Sequence, residues 1–204
     1  MDRRTVKTRQ MLQDALFDLL HEKPFEAIDI QEITDRADTA RVTFYRHYGT
    51  KEELLLDVIE TIYQGMQAAL QAVSVESLMD FRQTPPNQIL FDFLESDRAL
   101  YKKLFTGSIS AFIQQRLRHY IVQQVVLTFS TAPRYADLPI ALIANHIASC
   151  VIGNVMWWLS EDVPYSANYM ARLTHWLSML GVMTYIGRAD ELTLPPPDAW
   201  HITS

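Results

Sequence analysis

Two helix-start signatures stand so close together in this chain that only short helices fit between them. In "IDIQEI", Asp29 is placed to cap the amide three residues on while Glu32 reaches back, and Ile28 and Ile33 flank the pair as a hydrophobic staple. Thr50 and Glu53 repeat the capping pattern. Between the two caps we expect a helix to about Arg36 or Ala37, a tight turn at "ADTA", and a second helix from about Ala40 to Tyr48. Gly49 is expected to stop that helix in the left-handed conformation. A short capped helix, a tight turn and another short helix make a helix-turn-helix, whose second helix is shaped to enter a DNA major groove.

The flanking sequence is helical too. Leu12, Ala15, Leu16, Leu19 and Leu20 form one stripe of a first helix over about Thr5 to His21, ended by "KPF". After Thr50 a long helix carries Leu54, Leu55, Val58, Ile62, Met66 and Leu70. Only six glycines occur, and "TPP", Gly107, "APR", Pro139 and "DVP" divide the rest into roughly five helices, the last three long. "TLPPPDAWHITS" closes the chain as an expected extended tail. The reading is all-α: a three-helix head over residues 1–50, a helical body over 51–188 and a tail over 189–204.

Bulk charge does not name a partner. The net charge is -6, and residues 1–51 carry nine Lys/Arg against nine Asp/Glu. One cysteine, Cys150, excludes an internal disulfide or multi-cysteine metal site and fits a reducing, cytoplasmic setting. The N-terminal "MDRRTVKTRQ" lacks the apolar core of a signal peptide. Residues 138–159 are long enough to span a membrane, but Asn145, His146, Ser149 and Asn154 interrupt them and no Lys/Arg anchor lies close by. A helix buried within a protein is the expectation there.

On the second short helix, Phe44 and Tyr48 fall on one face with Ala37 and Ile33 and are assigned to the core. Arg41, Val42, Tyr45 and Arg46 then project outward, with Thr43 and His47 at the flanks, a face suited to phosphates and base edges. Lys51, in the first turn of the next helix, is placed to reach the DNA backbone beside free amides.

Residues 5–60 resemble the TetR family of bacterial transcriptional regulators, through "TRQMLQDALFDLL", "PFEAIDIQEITDRA" and above all "TFYRHYGTKEELLLDVI". "NVMWWLSEDVPYSANYMARL" resembles the C-terminal region of one TetR subgroup. The resemblance implies an all-helical homodimer, with Arg41, Val42 and Tyr45 facing bases and Thr43, Tyr45, Arg46, His47 and Lys51 facing phosphates. It also places Arg9 near the duplex. Two positions depart from the pattern: Asp38 stands where the family commonly has a turn glycine, and Ala40 where it has a capping serine, with Thr39 able to cap one position earlier.

The body is expected to sense an apolar or weakly charged small molecule in a cavity bounded by the fourth helix and residues 87–128 and 138–159, with Met66, Phe105, Phe112 and Asn154 in its walls. Asn145, His146, Ser149 and Asn154 find partners in the core, across a dimer interface or on a ligand; the sequence leaves the three open. Apolar faces on residues 138–159 and 166–186 point to dimerisation through the last two long helices, where Gly153 and Gly181 permit close approach. No histidine pair at ligand spacing, no glycine-rich phosphate loop and no nucleophile motif is present, so neither a metal, a cofactor nor an enzyme is expected. The reading is a regulator, repressive by family default, released from a palindromic operator by an effector. Its alternative is a helical ligand-binding or partner-binding adaptor whose head no longer binds DNA specifically.

Overall fold

The computed structural model describes residues 3–70, 74–131, 137–161, 163–185, 187 and 189–192. They form two compact units: one runs to Gly65 and includes Gly107–Ile109, the other takes Met66–Thr106 and the residues from Ser110 onward. The first unit thus keeps most of the helix that follows the helix-turn-helix, where the sequence suggested a division near residue 50.

In the first unit, α1 spans Arg3–Glu22 and buries the expected stripe from Leu12 to Leu20. Pro24 follows and a 3-10 turn covers Phe25–Ala27, with the Phe25 ring buried. Helix α2 (Ile30–Arg36) begins with the full capping box: Asp29 accepts from the Glu32 amide at 2.9 Å, and Glu32 accepts from the Asp29 amide at 3.0 Å. Ile28 and Ile33 are both buried, as a hydrophobic staple requires. Helix α3 (Arg41–His47) packs on α2, with Phe44 fully enclosed and Ala37 and Tyr48 beside it. Burial of a ring the size of Phe44 contributes roughly 1.5–3 kcal/mol.

Three local details differ from expectation. Ala40 is the N-cap of α3 and no side chain, Thr39 included, caps it. Tyr48 ends α3 in extended backbone, and Gly49 has no left-handed φ. A Cβ there would come within 3.2 Å of the Glu53 carboxylate, which accepts the Gly49 amide at 2.6 Å. The left-handed residue of the head is Asp38, at φ 47°, the turn position where the sequence departs from glycine.

Helix α4 spans Lys51–Leu70, opened by the Thr50 hydroxyl accepting from the Glu53 amide. Among the described residues the second unit holds six more helices where roughly five were expected: α5 (Val75–Met79), α6 (Gln88–Ser96), α7 (Arg98–Thr106), α8 (Ser110–Ser130), α9 (Ile140–Ser160) and α10 (Ala167–Tyr185). The additional break, between α6 and α7, lies at Asp97, which no proline or glycine marks; its side chain accepts from the Leu100 amide and restarts the chain as a cap. Helix α9 packs against α7, α8 and α10, while α6 lies on α10. Of the C-terminal tail expected over 189–204, Ala189–Glu191 form a 3-10 turn rather than extended chain, and the residues from Thr193 lie outside the described residues.

Helix α9 is long and apolar enough to cross a membrane. Within this unit it buries Ala144, Ala148, Val151, Val155, Trp158 and Leu159 along one stripe. The Trp158 indole donates to the Tyr165 carbonyl, and the Arg98 guanidinium lies 4.6 Å from its ring centre.

Candidate nucleic-acid interface and body cavity

Helix α3 presents the expected residues by simple periodicity: Phe44 turns inward, which leaves Arg41, Val42, Tyr45 and Arg46 exposed and Thr43 and His47 half-buried. Val42 is 62% and Tyr45 48% exposed, large apolar surface that a soluble head does not need for its own packing. The Arg41 guanidinium donates to the Tyr45 hydroxyl at 3.3 Å and lies 5.7 Å from its ring centre, so the two form one polar-aromatic platform. Arg46 stands one turn further on. The platform offers donors for guanine edges and phosphate oxygens, with Val42 set for apolar contact.

Arg9 and Lys51 sit differently from the other six. The Lys51 ammonium donates to three backbone carbonyls, of Phe25 at 2.9 Å, Glu26 at 3.2 Å and Ile28 at 2.7 Å, and lies 4.6 Å from the Phe25 ring centre. All three of its protons are engaged, so it ties the start of α4 to the turn before α2. Arg9 forms an ion pair with Asp57 and also donates from Nε to the Tyr48 hydroxyl at 3.2 Å. The sequence reading gives Lys51 to the DNA backbone and places Arg9 near the duplex; in this structure both are tethered by neighbours within the head.

Asp57 is the residue that reasoning missed. It accepts from Arg9, from the Tyr48 hydroxyl and from Gln13 Nε2 at 2.7 Å, joining α1, the end of α3 and α4. Burial alone raises its pKa, but the hydrogen bonds from Tyr48, Arg9 and Gln13 outweigh it and hold the carboxyl below its ordinary value. Burial, then the bond to Asp57, push the Tyr48 hydroxyl up to about 12, so it stays a donor. A signal existed in the sequence: three residues after Leu54 and four before Thr61, Asp57 places a charge on the inward side of an apolar helix.

The second unit contains a cavity of about 110 Å³, walled by Leu78, Leu90, Leu117, Ile121, Val151 and Met179 among others. That is several times the space one water needs. Asn87, Tyr120, Gln124, His175 and Ser178 are its polar contributors, and among the described residues no Asp, Glu, Lys or Arg lines it. His175 is buried, and burial outweighs its bond to the Leu78 carbonyl, bringing its pKa down to about 4. It is therefore neutral at physiological pH.

The walls are not the ones expected. Phe105 is buried elsewhere in the unit, Phe112 lies half-exposed with Arg116 over its ring, and Asn154 donates to Thr174 at 3.0 Å; none lines this cavity. The Met66 side chain lies outside the described residues, and among the described residues none of the lining comes from α4. The polar groups of α9 find partners nearby: Arg118 donates to Asn145 at 3.2 Å and to Ser149 at 2.9 Å, and His146 lies 3.7 Å from the Cys150 sulfur. Among the described residues, no group of three His, Cys, Asp or Glu is placed to hold a metal ion.

A family model described as bacterial regulatory proteins, tetR family, matches residues 12–58, and a second, described as transcriptional regulator C-terminal region, matches residues 87–179. The chain belongs to the TetR family. The TetR match to the head takes in every expected contact residue except Arg9. The solved structure of a TetR transcriptional regulator from Streptococcus agalactiae 2603V shares the fold, with TM-score 0.60 and 20% identity over 87% of this chain and 96% of that one. An uncharacterised helix-turn-helix transcriptional regulator of Bacillus subtilis (strain 168), YxbF, is 28% identical over 91% of this chain; the chain spans 47% of that relative's length. The helix-turn-helix transcriptional activator FasR of Mycolicibacterium smegmatis is 23% identical over 76% of this chain and 74% of its own.

Proposed function

We propose that this TetR-family protein is a cytoplasmic, homodimeric transcriptional regulator that binds a palindromic operator through α3 and is released by a small molecule bound in its body. The observation that carries the reading is the α3 face: Arg41, Val42, Tyr45 and Arg46 stand exposed on a helix whose other side is fully packed. Arg41, Val42 and Tyr45 read bases, and Thr43, Tyr45, Arg46 and His47 meet phosphates. Arg9 and Lys51 act chiefly by holding the frame of the head, since their donors are engaged within it.

Dimerisation is supported by the outer surface of α9 and α10. Leu142, Trp157, Leu177 and Leu180 are exposed there, and a Cβ at Gly153 or Gly181 would meet nothing within 4 Å. Such a surface suits a two-fold partner, and a dimer sets the half-sites about one helical turn apart. An effector acts by binding one dimer form better than another, with coupling on the order of 1–3 kcal/mol. We take repression as the sign, while the activator name of the Mycolicibacterium relative supports activation as a second reading.

The test is fluorescence anisotropy of the full chain against DNA from upstream of its own gene, with scrambled DNA as competitor. Specific, salt-sensitive binding is expected. Binding no tighter than to scrambled DNA would leave the adaptor reading in its place.

A further inference from the structure

The polar groups of the body cavity are unequal in what they can still offer. Asn87 Nδ2 donates to the Ala171 carbonyl at 3.1 Å, which fixes the orientation of the amide and leaves Oδ1 as the free end. That oxygen is buried and has no hydrogen-bond partner among the described residues. Asn87 also stands at the N-cap of α6, where its oxygen ordinarily accepts a helix amide, yet no such bond forms. The cap has been given up and the acceptor left open.

The same bias holds deeper in. The hydrogen of neutral His175 goes from Nε2 to the Leu78 carbonyl, so Nδ1 can only accept. The Ser178 hydroxyl donates back to its own helix, at the Thr174 or His175 carbonyl, and keeps only lone pairs. Gln124 and the Tyr120 hydroxyl can each serve either role. With no charged side chain among the described residues of the walls, a carboxylate would meet no cation there and an ammonium no counter-ion.

Resting on the reading of the body as an effector-binding unit, we propose that this cavity takes a neutral, mainly apolar molecule that donates a hydrogen bond to Asn87 Oδ1. The ligand class is a compact alcohol, phenol or amide with a hydrocarbon frame. Organic acids, quaternary amines and acceptor-only compounds such as ethers are discriminated against, because an unpaired buried acceptor stays unpaired when they bind.

The experiment titrates the full chain with three probes sharing one frame, 4-propylphenol, 4-propylanisole and 4-propylbenzoate, by calorimetry, and follows the Asn87 side-chain amide by NMR. The phenol should bind roughly tenfold more tightly than the ether, the difference one net hydrogen bond makes, with benzoate weakest and the Asn87 amide signals shifting with the phenol alone. In Asn87→Leu the phenol's advantage should vanish. Should that variant fail to fold, the wild-type amide signals still decide. Equal binding of phenol and ether, preference for benzoate, or no binding by any probe overturns the assignment. Operator binding measured on the same sample separates the two claims: if no probe binds but DNA does, the ligand class falls and the regulator stands. If the phenol binds but DNA does not, the reverse holds.

Discussion

The Tyr48 hydroxyl donates to the Asp57 carboxylate, so the residue that ends α3 is tied directly to α4. Arg9 and Gln13 approach the same carboxylate from α1, and one acidic side chain thereby links α1, α4 and the end of α3, the helix proposed to face DNA. Three donors on a half-buried carboxylate make it a strong joint, because removing the charge leaves Arg9 and Tyr48 without their acceptor.

Asp57→Ala should therefore destabilise the head by about 1–3 kcal/mol and weaken operator binding although the residue touches no DNA. The sign of the pH dependence follows from its depressed pKa. A carboxylate lowered in the folded state stabilises above its unfolded pKa and loses that contribution as pH falls through the folded value. Urea melts of wild type should thus lose stability into the acid range, and those of Asp57→Ala should lose less.

Lys51→Met should cost stability, since the Phe25, Glu26 and Ile28 carbonyls lose their donor. Its salt slope for DNA binding should stay close to wild type. Arg46→Ala, on the exposed face, should instead lower the slope by about 0.9 for each half-site. A Lys51→Met slope reduced as much as that of Arg46→Ala would show that the lysine leaves its carbonyls for phosphate.

Asp38→Gly should stabilise the head by about 1 kcal/mol, because Asp38 holds φ 47° in the turn before α3. Removing its charge should also tighten DNA binding. Chemical denaturation and anisotropy on the same preparation measure both effects.

His175 carries a pH signature of the opposite kind from a surface histidine. Its pKa lies at about 4 against an ordinary 6.5, so the unfolded chain takes up a proton first as pH falls. Stability from this group is full above pH 6.5 and is lost between about 6.5 and 4, with a slope of at most about 1.4 kcal/mol per pH unit. His175→Leu should flatten the melting profile across that window.

Leu142→Asp together with Leu177→Asp should convert the dimer to a monomer by light scattering, since these side chains are 60% and 61% exposed on the outer faces of α9 and α10. An unchanged mass would place the two-fold contact elsewhere.

What the sequence revealed and what it hid divide along the range of the interactions. The Asp29 to Glu32 cap, the Phe44 and Tyr48 core face and the outward Arg41 and Tyr45 depend on neighbours within a few residues, and periodicity exposes them. Lys51 meets carbonyls more than twenty residues back, and Arg9 meets Asp57 in another helix, contacts that no local pattern encodes. The cavity walls come from five helices, α5, α6, α8, α9 and α10, so a list of large apolar residues such as Phe105 and Phe112 cannot say which ones face a gap. At Asp97 the break between α6 and α7 is marked by a side chain that caps the start of α7 rather than by proline or glycine, so the punctuation of the sequence does not show it.

The role proposed for α3 is to read a specific two-fold DNA sequence. Selection of bound sequences from a randomised duplex pool, run in parallel with wild type and Tyr45→Ala, tests it most directly. Wild type should enrich an inverted repeat with half-sites about one helical turn apart, and Tyr45→Ala, folded and dimeric, should enrich it poorly or not at all. A wild-type pool that shows no enriched repeat, or equal enrichment by Tyr45→Ala, contradicts it.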